Sequence, residues 1–328
     1  MATFGKTGLT PREIWSVYDS SKIKKFSNCP RGYFFSHIMG YRSEGSNVHL
    51  AFGSAWHDAM EHLLTVGKHD KETVAEAYRI FVRRFNKEMG DEVNNHYAKN
   101  RENALVALSE YAQTWLPDTA LHTEIAGTAP ISPSRLIYFK LDSLIRDKKG
   151  KLWSMEHKTT GRLTSAWKDR WEYDFQTMCY NHVVHCIEGD IEQVGGVNIN
   201  GAVLRKSSNE FLRIPVSPSG DKLQLWLWEA NHWIDQIEWN MEMLAETSPS
   251  DDIMVAFPRN TSSCAKFGCD FPGLCSSRCN PLQWGEEPPI GYKKEFWDPR
   301  REDAKVKATP SAEGKIELEP AKKEDDNE

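Results

Sequence analysis

The sequence predicts a mixed α/β fold, a central mixed β-sheet carrying one prominent hairpin and flanked by helices. Three observations predict it. Residues 136–145 and 152–158 read as two partly apolar arms joined by the charged turn Asp147-Lys148-Lys149-Gly150, the pattern of a β-hairpin. Residues 50–66, 72–88, 101–115 and 220–246 carry apolar side chains at helical spacing. After a further helical pattern over 170–188, two strand-like runs follow at 194–204 and 210–214.

Composition sets the outer bounds. With 328 residues, 39% hydrophobic and 27% charged, the chain can bury a sizeable core as one large domain or two ordinary ones. No apolar run approaches a membrane span. The opening MATFGKTGLTPREIW lacks the basic-then-apolar pattern of a secretory leader. A cytoplasmic protein without membrane partners is therefore expected, and its 7 cysteines are expected as thiols or metal ligands rather than disulfides. A net charge of −6 argues against a non-specific DNA coat but is compatible with a local basic groove.

The hairpin carries the chemistry. Alternate residues of a strand share a face, so Glu156 and Lys158 point to one side and His157 to the other. Antiparallel pairing brings Asp142 alongside them. Two carboxylates beside an ammonium suit a hard divalent cation, with the lysine to orient or deprotonate water. A solvated hairpin would explain the same residues.

The remaining elements follow in order. Ser20 or Ser21 is a suitable N-cap for helices that supply Ile23, Phe26, Phe34 and Ile38 and break at Cys29-Pro30. In 50–66, Leu50, Ala55, Ala59, Leu63 and Leu64 form an apolar face, Gly53 permits close approach, and His57 and Glu61 share a face. The cationic residues of 72–88 and 101–115 read as solvated faces. Residues 121–128, with Glu124, read as an edge strand. In 170–188, Phe175, Met178, Cys179, Val183 and Cys186 point inward, while Gln176 and Tyr180 are four apart. Pro215 should end its strand, because it cannot donate to a ladder. In 220–246, Leu223, Trp226, Leu227, Ala230, Ile234 and Ile237 form a core stripe. Cys264, Cys269, Cys275 and Cys279 are spaced C-x4-C-x5-C-x3-C among Gly268, Pro272 and Gly273. That density argues for a metal or cluster, and the C-x2-C knuckle usual for zinc is missing. From residue 299 the chain is charged and apolar-poor, the composition of a disordered tail.

An Asp, a hairpin and Glu-x-Lys resemble the catalytic motif of the PD-(D/E)XK nucleases. Around it, Ser21-x-Ile23-x-x-Phe26-x-x-Cys29-Pro30-x-x-Tyr33, Gly53-x-x-x-His57-x-x-x-Glu61, Gln176-x-x-x-Tyr180 and the cysteine segment resemble, in the same order, the motifs of RecB/AddB-type exonucleases that carry an iron–sulfur cluster. Lys140 stands where that family often has Gly. The resemblance implies a restriction-endonuclease-like core in a single domain over 1–298, with a helical lobe at about 60–118, a catalytic core at about 119–217 and a cluster loop at about 257–281 completed by Cys29; residues 299–328 are the tail. It implies a Mg²⁺- or Mn²⁺-dependent DNA exonuclease of recombination, repair or phage replication, working on single strands or duplex ends in the cytoplasm, the host's if phage-encoded. Asp142 and Glu156 would hold the metal with His57 and the His157 backbone carbonyl. Lys158 would position the attacking water, and Gln176 and Tyr180 would contact DNA or support the site. Cys29, Cys264, Cys269 and Cys275 would ligate a [4Fe–4S] cluster, leaving Cys279 spare. The sequence carries no helicase P-loop, so unwinding would come from a helicase or recombination partner. Two other readings stay open: a non-catalytic nucleic-acid-binding or assembly subunit with a nuclease-like fold, and an adaptor whose four clustered cysteines bind Zn²⁺.

Overall fold

A computed structural model of the chain describes residues 4–90, 98–206, 208–264, 268–301 and 303–321. Its helices are α1 (Ser20–Asn28), α2 (Pro30–Tyr33), α3 (Val48–Val66), α4 (Lys71–Met89), α5 (Arg101–Thr114), α6 (Ser165–Asp169), α7 (Phe175–Glu188), α8 (Gly220–Ala245), α9 (Thr261–Cys264) and α10 (Pro272–Ser277). Its strands are β1 (Tyr41–Ser43), β2 (Ala120–Ser132), β3 (Arg135–Arg146), β4 (Leu152–Thr160), β5 (Val194–Val203), β6 (Glu210–Val216), β7 (Tyr292–Lys294), β8 (Val306–Pro310) and β9 (Ile316–Pro320). Seven strands form one mixed sheet in the order β6-β5-β4-β3-β2-β8-β9, and β1 pairs with β7. Within the large sheet β4–β5 and β2–β8 are parallel, while β3–β4, β5–β6 and β8–β9 are antiparallel. The mixed α/β expectation holds.

The described residues group into two compact units. One comprises Met1–Gly45, Pro130–Tyr138 and Gln224–Glu302; the other comprises Ser46–Ala129, Phe139–Leu223 and Asp303–Glu328. The second unit includes the C-terminal segment.

The second unit is built on α3, α4 and α5. Asn47, Asp70 and Asn100 cap their N-termini through side-chain oxygens. Gly67 ends α3 at φ 65, a left-handed position that suits glycine. The buried faces interleave Ala51, Ala55 and Ala59 with Phe52, Trp56, Phe81, Phe85 and Leu108. Leu50 is 68% exposed because it lies off this face. Among the described residues no atom lies within 4 Å of where a Gly53 side chain would sit, so none of them makes the close approach expected there.

In the first unit, Phe26, Tyr33 and Phe34 pack around Phe257. Arg31 is buried and donates to the carbonyls of Phe257 (2.8 Å) and Met254 (3.1 Å), which fastens α2 to the chain just before the cysteine segment. Asp19, not Ser20 or Ser21, caps α1.

Four other expectations are corrected. Helix α7 starts at Phe175 because Asp174 accepts from the amides of Gln176 and Thr177. Pro215 does not end β6; it lies opposite Asn198 on an edge strand, where its missing N–H costs no ladder bond. Residues 121–128 are not an edge, since β8 pairs with β2 from Ile125↔Val306 to Gly127↔Ala308. The segment expected as a disordered tail supplies β8 and β9, a hairpin whose Val306, Ala308 and Ile316 are buried. Alternation on one face suffices for a strand at low overall hydrophobicity.

Candidate active site

The β3–β4 ladder runs from Arg146↔Leu152 to Ser143↔Met155, and its register sets Asp142 against Glu156. There the Asp142 side chain takes over as acceptor. Its Oδ2 receives the His157 backbone N–H at 2.8 Å, and its Oδ1 lies 3.1 Å from His57 Nδ1 on α3. Lys158 Nζ is ion-paired with Glu156 Oε1 and lies 3.3 Å from Gln176 Oε1 in the first turn of α7. Gln176 Nε2 donates to the Tyr180 hydroxyl at 2.8 Å. His57, Asp142, Glu156, Lys158, Gln176 and Tyr180 therefore form one connected set within the second unit. Each comes from an element that the hydrophobic pattern positions: His57 from the partly polar side of α3, the hairpin residues from a sheet interior, and the Gln–Tyr pair from one turn of α7.

The charges perturb one another strongly. Glu156 is 3% exposed; burial and then the Asp142 charge push its carboxyl up to about 7. Burial would raise Asp142 as well, but the neighbouring His57 ring holds it below the usual carboxylate range. Burial opposes protonation of His57, yet Asp142 and Glu156 raise it to about 9. Lys158 is likewise raised, because Glu156 and Asp142 outweigh its burial. Burial and then the two carboxylates raise the Tyr180 phenol.

His157, whose carbonyl is the fourth ligand the resemblance implies, pairs with Asn200 across β4–β5. Its ring is buried and driven down to about 3 by that burial, so it is neutral. Asn200 Nδ2 donates to the Tyr111 hydroxyl at 2.8 Å and lies 3.0 Å from His157 Nδ1. In this amide orientation the NH₂ of Asn200 faces both the Tyr111 hydroxyl and His157 Nδ1. Asn200 and Tyr111 did not emerge from the sequence. Their trace is the polar pair Asn198 and Asn200 in the otherwise apolar run of β5.

The donor set fits a hard divalent cation. Glu156 Oε2 is buried without a hydrogen-bond partner, and a buried carboxylate oxygen in that condition calls for a ligand. Asp142 and His57 supply further donors beside it. Among the described residues no group of three or more His, Cys, Asp and Glu side chains stands in metal-holding geometry. The reason is visible: His57 and Asp142 engage each other, and Lys158 engages Glu156.

Cys29, Cys264, Cys269, Cys275 and Cys279 gather in the first unit, and none of the seven cysteines is in a disulfide. Cys29, Cys264 and Cys269 line a cavity of about 90 Å³ together with Lys25, Asn28 and Ser263. Cys275 sits in α10, and Cys275, then Cys29 and Cys279, lie close enough to the buried Arg31 guanidinium to act on it electrostatically. Cys264 and Cys279 are exposed, whereas Cys179 is buried in α7.

The hairpin of the mixed sheet thus presents Asp142, Glu156 and Lys158 beside the helix-borne His57. Residues 20–276 match the PD-(D/E)XK nuclease superfamily, and the chain belongs to it. No curated protein matches the chain. A nuclease fold implies that the chain binds DNA. Among the described residues no helix is long and apolar enough to cross a membrane.

Proposed function

We propose that the chain is a divalent-metal-dependent DNA exonuclease, acting on strand ends in recombination, repair or phage replication within the cytoplasm, alongside a helicase or recombination partner. The observation that carries the catalytic part is the buried, unpartnered Glu156 Oε2 beside Asp142 and Lys158. Asp142, Glu156, His57 and the His157 carbonyl would hold Mg²⁺ or Mn²⁺. Such an ion, when bound, polarises the scissile phosphate and acidifies water.

The chain's own residues do the rest. Lys158 stays charged, held by Glu156 and Gln176, and its ammonium orients the attacking water and offsets charge that develops on the phosphate. Gln176 and Tyr180 fix the direction of that lysine and border the strand end. Burial of Glu156 keeps bulk water from competing for the same donors. Digestion of end-labelled and circular DNA, single- and double-stranded, with Mg²⁺, Mn²⁺ or EDTA tests the reading. Metal-dependent loss of linear DNA with circles spared is expected. Cleavage in EDTA, or no cleavage under any condition, would sink it.

We also propose that Cys29, Cys264, Cys269 and Cys275 hold a [4Fe–4S] cluster, with Cys279 spare. The support is their thiolate chemistry and the shared cavity of Cys29, Cys264 and Cys269. Zn²⁺ on the four clustered cysteines is the competing outcome, and metal analysis separates the two.

A further inference from the structure

Lys99 lies just before α5 and is 9% exposed. Its Nζ donates to Thr159 Oγ1 at 3.2 Å and lies 5.7 Å from the centre of the Phe52 ring on α3. An ammonium has three donors, and a single neutral hydroxyl engages one of them. Among the described residues no carboxylate faces it: burial alone perturbs the group, bringing it down to about 8. Every charged member of the proposed catalytic set has a counter-charge; among the described residues this cation has none. Burying an unpaired cation is costly, and an aliphatic side chain of the same length would avoid that cost.

Its position is informative. Thr159 follows Lys158 on β4, and successive strand residues face opposite sides. Lys158 reaches Gln176 of α7, while Thr159 meets Lys99 beside α3. Two cations therefore flank the C-terminal end of the catalytic strand from its two faces. Resting on the nuclease reading above, we infer that Lys99 is a substrate-binding residue that takes a non-scissile phosphate of the DNA backbone as its missing counter-ion.

The test measures binding without cleavage. A fluorescent single-stranded oligonucleotide is titrated with the full-length protein in EDTA over a series of salt concentrations, and thermal stability is recorded in parallel. For Lys99→Met, binding should weaken, and the slope of log K against log salt should become shallower by about 0.7, the value for one single-strand phosphate contact. Its thermal midpoint should be unchanged or higher, since a desolvated charge is gone. Lys99→Arg should keep the wild-type slope. A wild-type slope in Lys99→Met overturns the inference, and so does destabilisation of both Lys99→Met and Lys99→Gln, which would make Lys99 a structural cation. If the wild type neither binds nor cleaves DNA, the nuclease reading has failed; normal wild-type binding with an unchanged slope in Lys99→Met defeats this inference alone.

Discussion

Replacing Glu156 by Gln keeps the shape of the side chain and removes its charge, which separates catalysis from stability. A carboxyl moved from an ordinary 4.5 up to about 7 has its ionised form disfavoured by roughly 3 kcal/mol in the folded state. The sign follows from proton uptake. Between these values the folded chain binds more protons than the unfolded one, so stability falls as pH rises from 4.5 through 7. A Gln cannot ionise and escapes that loss, but Lys158 loses one partner and keeps the Asp142 charge. A net gain of about 1–2 kcal/mol at alkaline pH is therefore expected in EDTA, vanishing near the ordinary carboxyl pKa. Urea unfolding at mildly acidic and alkaline pH measures it. Adding Mn²⁺ should stabilise the wild type, because an ion that binds only the folded state shifts the equilibrium, and should leave Glu156→Gln unmoved. Cleavage should drop by on the order of 10² or more. A variant that digests DNA like the wild type, that loses stability at alkaline pH, or that keeps the Mn²⁺ response would refute the reasoning.

Three further outcomes follow from other parts of the structure. In metal-free protein, the raised pKa of His57 contributes stability that is complete below its ordinary value of 6.5 and lost as pH rises through about 9; His57→Gln should flatten that decline in urea titrations. Anaerobically purified protein should be brown with bound iron. Cys29→Ser should bleach it and Cys279→Ser should not, and the reverse pair of absorbances would point to a local site on the four clustered cysteines. A side chain at Gly127 would drive its Cβ into the Ala308 carbonyl oxygen, so Gly127→Val should detach β8 from β2 and expose a sheet edge, seen as a lower melting temperature and aggregation; wild-type behaviour of that variant would show that β8 does not dock there.

Local patterns carried most of the fold into view. The hairpin and the helices at 72–88 and 101–115 were readable because period and spacing are properties of short segments, whereas the order of Cys29, His57, Asp142, Glu156, Lys158 and Gln176 came only from the resemblance to a known family. What escaped depends on partners far along the chain. Strand β9 reads Ile-Glu-Leu-Glu-Pro, whose acidic half resembles a solvated tail until a neighbouring strand is present to cover Ile316. Pro215 looks like a terminator until β6 is known to be an edge. Asn200 and Lys99 gain meaning only from burial, one beside His157 and the other beside Thr159, and burial of a single polar residue leaves no periodic trace.

The interleaving of the two units bears on the proposed cluster. The first unit is assembled from three stretches of chain, and the second unit's Ser46–Ala129 and Phe139–Leu223 lie in sequence between its first and last stretches. Cys29 belongs to the first of these stretches and Cys264 to the last, 235 residues later (264 − 29). Arg31 already joins them through the carbonyls of Met254 and Phe257, but a hydrogen-bonded join opens whenever the unit frays. A cluster held by Cys29, Cys264, Cys269 and Cys275 would close the same long loop with iron–thiolate bonds, and the entropy lost by the unfolded chain on such closure grows with loop length. Its binding energy would then be folding energy for the first unit. The proposed catalytic set lies wholly in the second unit, so bleaching the proposed cluster should unfold or loosen the first unit before it changes the chemistry proposed for Glu156 and Lys158.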